Sequence, residues 1–280
     1  MEIKFSQDIQ DVINLIQSNG YEAYVVGGYI RDYIVGKSNY DVDITTSATT
    51  DVLVNILKKY KLNDSFTRFG NIKFMSGEYT VEITTFRKEY NYIGHRKPGK
   101  IEFTNSLDED LVRRDFTINA ICSDGNKIID MFGGISDLKN KVIKTIGDAD
   151  IRLEEDSLRI LRALRFSSKY GLSIDSKLKE SINKNHKYLS EISFFSRYKE
   201  LKGILEGKGC IRVLKEYKKV LKDAFFLDDL KVCLLTNCSN LEEKVALFFY
   251  YSNINISNKY LCCRDLKFKE DKVNLKYKLK

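Results

Sequence analysis

Residues 40–44 read Tyr-Asp-Val-Asp-Ile, the alternation of a β-strand, whose side chains point to opposite faces in turn. Asp41 and Asp43 therefore share one face while Val42 and Ile44 take the other. Two ionised carboxylates that close repel each other, and a divalent cation relieves the repulsion. Mg²⁺ prefers hard oxygen ligands and keeps coordination places for substrate phosphates. A D-x-D pair alone is more often a solvated turn than a metal site, so its surroundings decide. Upstream lies Gly27-Gly28-Tyr29-Ile30-Arg31-Asp32. Glycines at a strand-to-helix turn let backbone N–H groups approach a phosphate, and Arg31 adds a charged donor. Glu82 stands either as a third carboxylate from a neighbouring strand or as an exposed strand glutamate. A phosphate cradle beside a carboxylate pair is the equipment of phosphoryl or nucleotidyl transfer.

Periodicity supplies the elements that must position these groups. Ile9, Val12, Ile13 and Ile16 recur at helical spacing over 5–18, and Gly20 offers a stop. A strand at 23–26 breaks at Gly27-Gly28 into a short helix over 29–35. A strand over 40–46, a helix over 50–60 and strands over 72–75 and 80–86 complete a sheet-forming region. Residues 88–105 hold Gly94, Gly99 and the only proline, Pro98, and read as a long surface loop with a short extended piece at 101–103. Beyond about residue 148 strand signals mostly cease, and helices are expected over 150–169, 176–183, 197–205, 213–221 and 241–251. The architecture is an α/β head joined to an all-helical remainder.

Length and composition bound the function classes. The 280 residues suffice for one large domain or two modest ones, and no stretch approaches the roughly 20 apolar residues of a membrane span. With no secretory leader pattern at its start, the chain is expected in the cytoplasm. Six cysteines form no C-x-x-C pair and the two histidines, His95 and His186, lie far apart, which fits free thiols and disfavours zinc sites, disulfides and a histidine-based triad. The net charge of +8 is uneven: residues 1–148 carry −2 and residues 149–280 carry +10. Such a basic half suits either a solvated surface or a polyanionic partner.

Five motifs then follow one another: Gly27-Gly28-x-x-Arg31-Asp32 with Asp41-x-Asp43, Arg113-Arg114-Asp115-Phe116-Thr117-Ile118-Asn119-Ala120, Asp130-x-Phe132-Gly133-Gly134, and Glu155-Asp156-x-x-Arg159-Ile160-Leu161-Arg162. In this order they resemble the class II CCA-adding enzyme and poly(A) polymerase family of nucleotidyltransferases, over roughly residues 20–170. The resemblance implies a polymerase-β-like catalytic head (1–148), a helical neck that recognises the base (149–205) and a basic, helical RNA-binding body (206–280). It further implies that Asp41 and Asp43 hold two Mg²⁺ ions, with Glu82 as a third catalytic acid. One ion would activate the RNA 3′-hydroxyl and the other steady the triphosphate, an in-line displacement that releases pyrophosphate. Gly27, Gly28 and Arg31 would grip the triphosphate, and Arg113 and Asp115 match positions that hold phosphate and ribose hydroxyl.

Base choice has a hydrogen-bonding logic. On one helix Asp156, Arg159 and Arg162 share a face. Cytosine and adenine each present an amino donor beside a ring-nitrogen acceptor, whereas uracil and guanine present the reverse. A carboxylate only accepts and a guanidinium only donates, so Asp156 with Arg159 suits C and A. The resemblance implies the same role, an amino-acid template, with Arg162 stacking on or bracing the base. The expected substrates are CTP, ATP and tRNA, gripped through its phosphates and shape; no membrane association and no protein partner are inferred. The 88–105 loop resembles the flexible loop of family members that switch from CTP to ATP. Two departures stand out: Ser157 replaces a proline common after the Glu-Asp pair, and the chain is short for a class II member. The leading reading is a CCA-adding tRNA nucleotidyltransferase. The alternatives are an A-only enzyme, either A-adding or a poly(A) polymerase, and a non-catalytic RNA-binding protein.

Overall fold

The computed structural model describes residues 3–63, 70–238 and 240–249. They divide into two compact units: residues up to 93 with 98–148, and Gly94–Lys97 with the chain from Ala149 on. In the first unit α1 (Gln7–Gln17) buries Ile9, Val12, Ile13 and Ile16, the stripe its sequence spacing predicts. β1 (Ala23–Val26) passes through Gly27 into α2 (Gly28–Ile34), and β2 (Asp41–Thr46) is followed by α3 (Thr50–Ile56). β3 (Asn71–Ser76) and β4 (Tyr79–Thr85) come next, and β7 (Cys122–Ser123) and β8 (Ile128–Ile129) complete a six-stranded sheet in the order β3-β4-β2-β1-β7-β8. Only the β2–β4 pair is parallel; the other neighbours run antiparallel. Val42 and Ile44 of β2 and Val81 and Ile83 of β4 are buried on one face, which leaves Asp41, Asp43 and Glu82 to the other.

The long loop is structured. β5 (Arg87–Tyr90) and β6 (Lys100–Phe103) pair antiparallel from Arg87↔Phe103 to Tyr90↔Lys100, so residues 88–105 form a hairpin with an extended tip. Gly94, Pro98 and Gly99 lie in the tip between the arms; β6 contains the extended piece expected at 101–103, whereas the charged Arg87–Tyr90 arm carries too few apolar residues to signal a strand. Helices α4 (Leu107–Val112) and α5 (Gly134–Lys139) were not anticipated from periodicity, being too short to show it. Ser106 caps α4 by accepting from Glu109 N, and three acidic residues occupy its first turn.

The second unit is helical: α6 (Ala149–Glu155), α7 (Leu158–Tyr170), α8 (Ser176–Asn185), α9 (Phe194–Glu206), α10 (Cys210–Glu216), α11 (Lys218–Phe225), α12 (Val232–Leu235) and α13 (Leu241–Phe248). Two expected helices are broken. The 150–169 segment divides at Asp156-Ser157, where Ser157 N donates outside the helix, to His95 O at 2.9 Å, and Asp156 Oδ1 caps Leu158 N at 3.0 Å. The 213–221 segment divides at Tyr217, whose φ of −111° leaves the helical region and whose ring is buried. Phe194, Tyr198, Phe225, Phe248 and Phe249 form an aromatic core with centroids 5.0–6.4 Å apart. No helix among the described residues is long and apolar enough to cross a membrane. Of the six cysteines, Cys122, Cys210, Cys233 and Cys238 are free thiols, while Cys262 and Cys263, residues 264–280 of the basic half and the end of the expected 241–251 helix lie outside the described residues.

Candidate active site

The carboxylate pair forms as strand alternation requires. Asp43 is paired in register with Glu82 across the parallel β2–β4 ladder, two residues on from the Asp41↔Thr80 pair. Burial among the surrounding protein atoms pushes the Asp43 carboxyl above its ordinary pKa even though its side chain reaches solvent. Arg114 opposes that shift, and the like charges of Glu82 and Asp41 add to it. Glu82 stands on the same face of the sheet as Asp43, where Asn71 Nδ2 donates to it at 2.6 Å and Lys73 Nζ lies 3.8 Å away.

These carboxylates fit a hard divalent cation: all donors are oxygen, and their mutual repulsion is what a cation removes. Among the described residues no group of three or more His, Cys, Asp or Glu side chains is placed to hold a metal ion. An open pair suits a metal that completes its coordination with water and substrate phosphates.

The glycine turn lies beside this pair. Gly27 has φ +73°, and a Cβ there would stand 3.7 Å from Asp43 Oδ2 and 3.8 Å from Arg114 Nη1. Only a residue tolerant of positive φ can make this turn unstrained. Beneath it runs a continuous polar chain. Asn119 Nδ2 donates to Asp115 Oδ1 at 2.9 Å, and Arg31 Nη1 donates to Asn119 Oδ1 at 2.5 Å. Arg31 also clasps Asp32 Oδ1 through Nε and Nη2 at 3.2 and 3.1 Å. Asn39 Nδ2 donates to Asp32 Oδ2 at 3.0 Å, and Asn39 Oδ1 accepts from Asp41 N at 2.9 Å. Arg31, Asp32, Asp115 and Asn119 are all buried. Arg31 and Asp115 therefore brace the turn and the start of β2 from within the fold, a placement that differs from an open grip on phosphate or ribose.

The two adjacent arginines have different neighbours. Arg113 donates through Nε to Arg87 O and Asp110 Oδ1, through Nη2 to Asp110 Oδ1 and through Nη1 to Glu89 Oε1, all at 2.6–3.2 Å. Arg114 donates to Asp110 Oδ2 at 3.0 Å and projects its Nη1 to the glycine turn and Asp43. Its Nε is buried and makes no hydrogen bond among the described residues. Of the two adjacent arginines, Arg114 is the one that reaches the carboxylate pair. Asp110 also accepts from Thr45 Oγ1 at 3.0 Å. Burial raises its pKa, but the guanidiniums of Arg114 and Arg113 outweigh burial and hold the carboxyl below its ordinary value. The sequence signal for Asp110 was its i,i+3 and i,i+4 spacing to Arg113 and Arg114.

In the helical unit Asp156 sits in the α6–α7 break rather than on a continuous helix face. Its Oδ2 accepts from Arg96 Nη1 at 2.9 Å. Arg159 is buried, donating to Arg152 O at 2.9 Å and Glu155 Oε2 at 3.2 Å. Arg162 lies over the Phe166 ring at 5.8 Å. All three arginines still surround Asp156 electrically: burial pushes its pKa up, and Arg96, Arg159 and Arg162 pull it back. Arg96 was missed as a neighbour because it lies 60 residues from Asp156 in sequence.

A mixed sheet carrying a carboxylate pair beside a strand–glycine–helix turn, with helices following, defines a polymerase-β-like nucleotidyltransferase head. Residues 23–144 match the family model described as Poly A polymerase head domain. A CCA-adding enzyme from Staphylococcus aureus is 35% identical over 272 residues, 93% of this chain and 66% of that protein. One from Lactobacillus helveticus is 42% identical over 183 residues, 65% of this chain and 45% of its own length. Among solved structures, the Bacillus stearothermophilus CCA-adding enzyme in complex with CTP superposes with a TM-score of 0.74 at 29% identity, covering 96% of this chain and 67% of that one. A tRNA nucleotidyltransferase complexed with a primer tRNA and an incoming ATP analog gives 0.73 at 27% identity, covering 95% and 82%. The chain belongs to the CCA-adding enzyme and poly(A) polymerase family of nucleotidyltransferases. Nucleotidyltransferases of this family use divalent metals. The chain spans about half to two thirds of the length of these curated relatives.

Proposed function

We propose that this chain is a template-independent, cytoplasmic nucleotidyltransferase that builds or repairs the 3′-terminal CCA of tRNA from CTP and ATP, with release of pyrophosphate. The observation that carries the reading is the Asp41–Asp43 pair facing Glu82 beside the Gly27 turn, with Arg114 reaching the same place. Mg²⁺ held by Asp41 and Asp43 would acidify the RNA 3′-hydroxyl and neutralise charge on the triphosphate. Gly27 and Gly28 leave room for a triphosphate to approach the backbone. Arg114 supplies a fixed positive charge at that approach, and Arg31 and Asp115 hold the turn rigid, so little reorganisation is needed as charge develops. The hydroxyl proton, once acidified, passes to water or a nearby carboxylate, so the scheme asks little acid–base chemistry of the protein, in keeping with a chain of two histidines.

Residues 149–205 serve as the neck that reads the base and 206–280 as the RNA-holding body. Asp156 accepts from the exocyclic amino group of C or A, while a guanidinium, Arg159 or Arg162, donates to the adjacent ring nitrogen. Because Arg96 already occupies Asp156 Oδ2, an incoming base must share or displace that contact.

The test is incorporation from each single NTP with Mg²⁺ on tRNA transcripts ending before CCA, after C and after CC. Addition of C, C and then A to the shortest transcript supports the proposal. Activity with ATP alone on the CC-ended transcript indicates an A-adding enzyme, long A tails on unrelated RNA a poly(A) polymerase, and RNA binding without incorporation a non-catalytic protein.

A further inference from the structure

Four tyrosines gather on the face of the head sheet that turns away from the carboxylates. Thr80 N donates to Tyr40 O at 2.8 Å, which extends the parallel β2–β4 ladder by one residue and sets Tyr40 beside Tyr79. By alternation both belong to the face of Val42, Ile44, Val81 and Ile83, opposite Asp41, Asp43 and Glu82. The Tyr40 and Tyr79 rings are 5.9 Å apart and inclined at 34°. Tyr29 of α2 meets Tyr79 edge-on at 6.3 Å, and Tyr33 lines the same cleft one helical turn on.

The cleft measures about 370 Å³, and Lys37, Asn39 and Glu78 share its lining with the tyrosines. A core-completing cluster would be covered, yet Tyr40 is 54% and Tyr33 36% exposed, while Tyr29 beneath them is buried. A volume at the small end of the usual range of about 300–1,000 Å³ admits one nucleoside-sized ligand. Exposed aromatic faces with a lysine and a carboxylate at the edge match a planar base with an attached phosphate.

We propose that this cleft is a nucleobase-binding site, separate from the catalytic face, that stacks one unpaired RNA nucleotide on Tyr40 and Tyr79 with its phosphate beside Lys37. Asn39 joins the cleft to the chemistry: it lines the cleft, and its side chain holds both Asp32 and the backbone N–H of Asp41. An occupant therefore touches the residue that positions the first carboxylate. The site stands independently of the transferase reading, because its occupancy is measured without turnover.

The experiment irradiates the full chain, without NTP, in the presence of a short single-stranded oligonucleotide carrying 5-bromouridine, and maps the labelled peptides by mass spectrometry. Labelling is expected at Tyr40 or Tyr79, with roughly tenfold weaker binding at this site in Tyr40→Ala and retention in Tyr40→Phe, since stacking needs the ring and not the hydroxyl. Tyr40 is exposed, and a thermal melt confirms that both variants fold. Labelling confined to other peptides, or undiminished by Tyr40→Ala, overturns the proposal. A parallel arm uses 5-bromouridine monophosphate. Labelling by the oligonucleotide alone supports an RNA occupant, and equal labelling by the mononucleotide overturns RNA in favour of a free nucleotide with the same chemistry.

Discussion

Arg31 Nη1 donates to Asn119 Oδ1 at 2.5 Å, a buried bond between residues 88 apart that ties the helix after the glycine turn to the 117–119 turn of the Arg113–Ala120 motif. With Asp115, Asp32 and Asn39 it forms one relay that ends at the backbone of Asp41. Asn119→Ala leaves a buried guanidinium one partner short, a loss of about 1.5–3 kcal/mol. The urea midpoint should fall with an unchanged m-value. An unaltered midpoint would remove the relay from the stability of the head.

Asp110 carries a pH signature. Its folded pKa lies below the ordinary aspartate value because Arg114 and Arg113 outweigh its burial. A depressed carboxylate pKa contributes stability that is fully present above the unfolded value and lost as pH falls through the folded one. Asp110→Asn breaks a buried pair and should cost about 3–5 kcal/mol near pH 7. The gap between wild type and variant should close only below about pH 4. Denaturation curves across pH 3–7 read this directly, and a gap that is constant over the whole range contradicts it.

Asp41→Ala should abolish nucleotide transfer, by on the order of 10³-fold or more, since several kcal/mol of charge stabilisation depend on it. RNA affinity, measured by filter binding, should change little. Near-normal turnover by this variant would count against the carboxylate assignment.

Asp156→Ala should relax base choice. Discrimination between CTP and UTP rests on unmatched polar groups worth about 1–3 kcal/mol each, so the ratio of kcat/KM should fall roughly 5–150-fold. Single-turnover incorporation of each NTP measures it. Undiminished rejection of UTP would take the templating role away from this residue.

Much of this protein is written in local pattern. The parity of Asp41-Val42-Asp43-Ile44 determines that two carboxylates share a face, because a strand's side chains alternate whatever surrounds it. The spacing of Ile9, Val12, Ile13 and Ile16 determines the buried stripe of α1 in the same way. The five ordered motifs carry the family, since their residue types must recur wherever the same chemistry is held.

Tertiary structure decided which neighbour each polar group takes. Arg113 and Arg114 are equivalent in sequence, yet Glu89 and Arg87 O of the hairpin claim the first and leave the second to face Asp43. A continuous helical pattern over 150–169 gave no sign of the break at Asp156, because its cause, the backbone oxygen of His95, comes from a distant segment. The tyrosine cleft likewise exists only because β2 and β4 pair in parallel and bring Tyr40 beside Tyr79. Periodicity fixes which way a side chain points. The partner that satisfies a buried charge is fixed by chain segments that meet only on folding, where the cost of an unpaired group selects the arrangement.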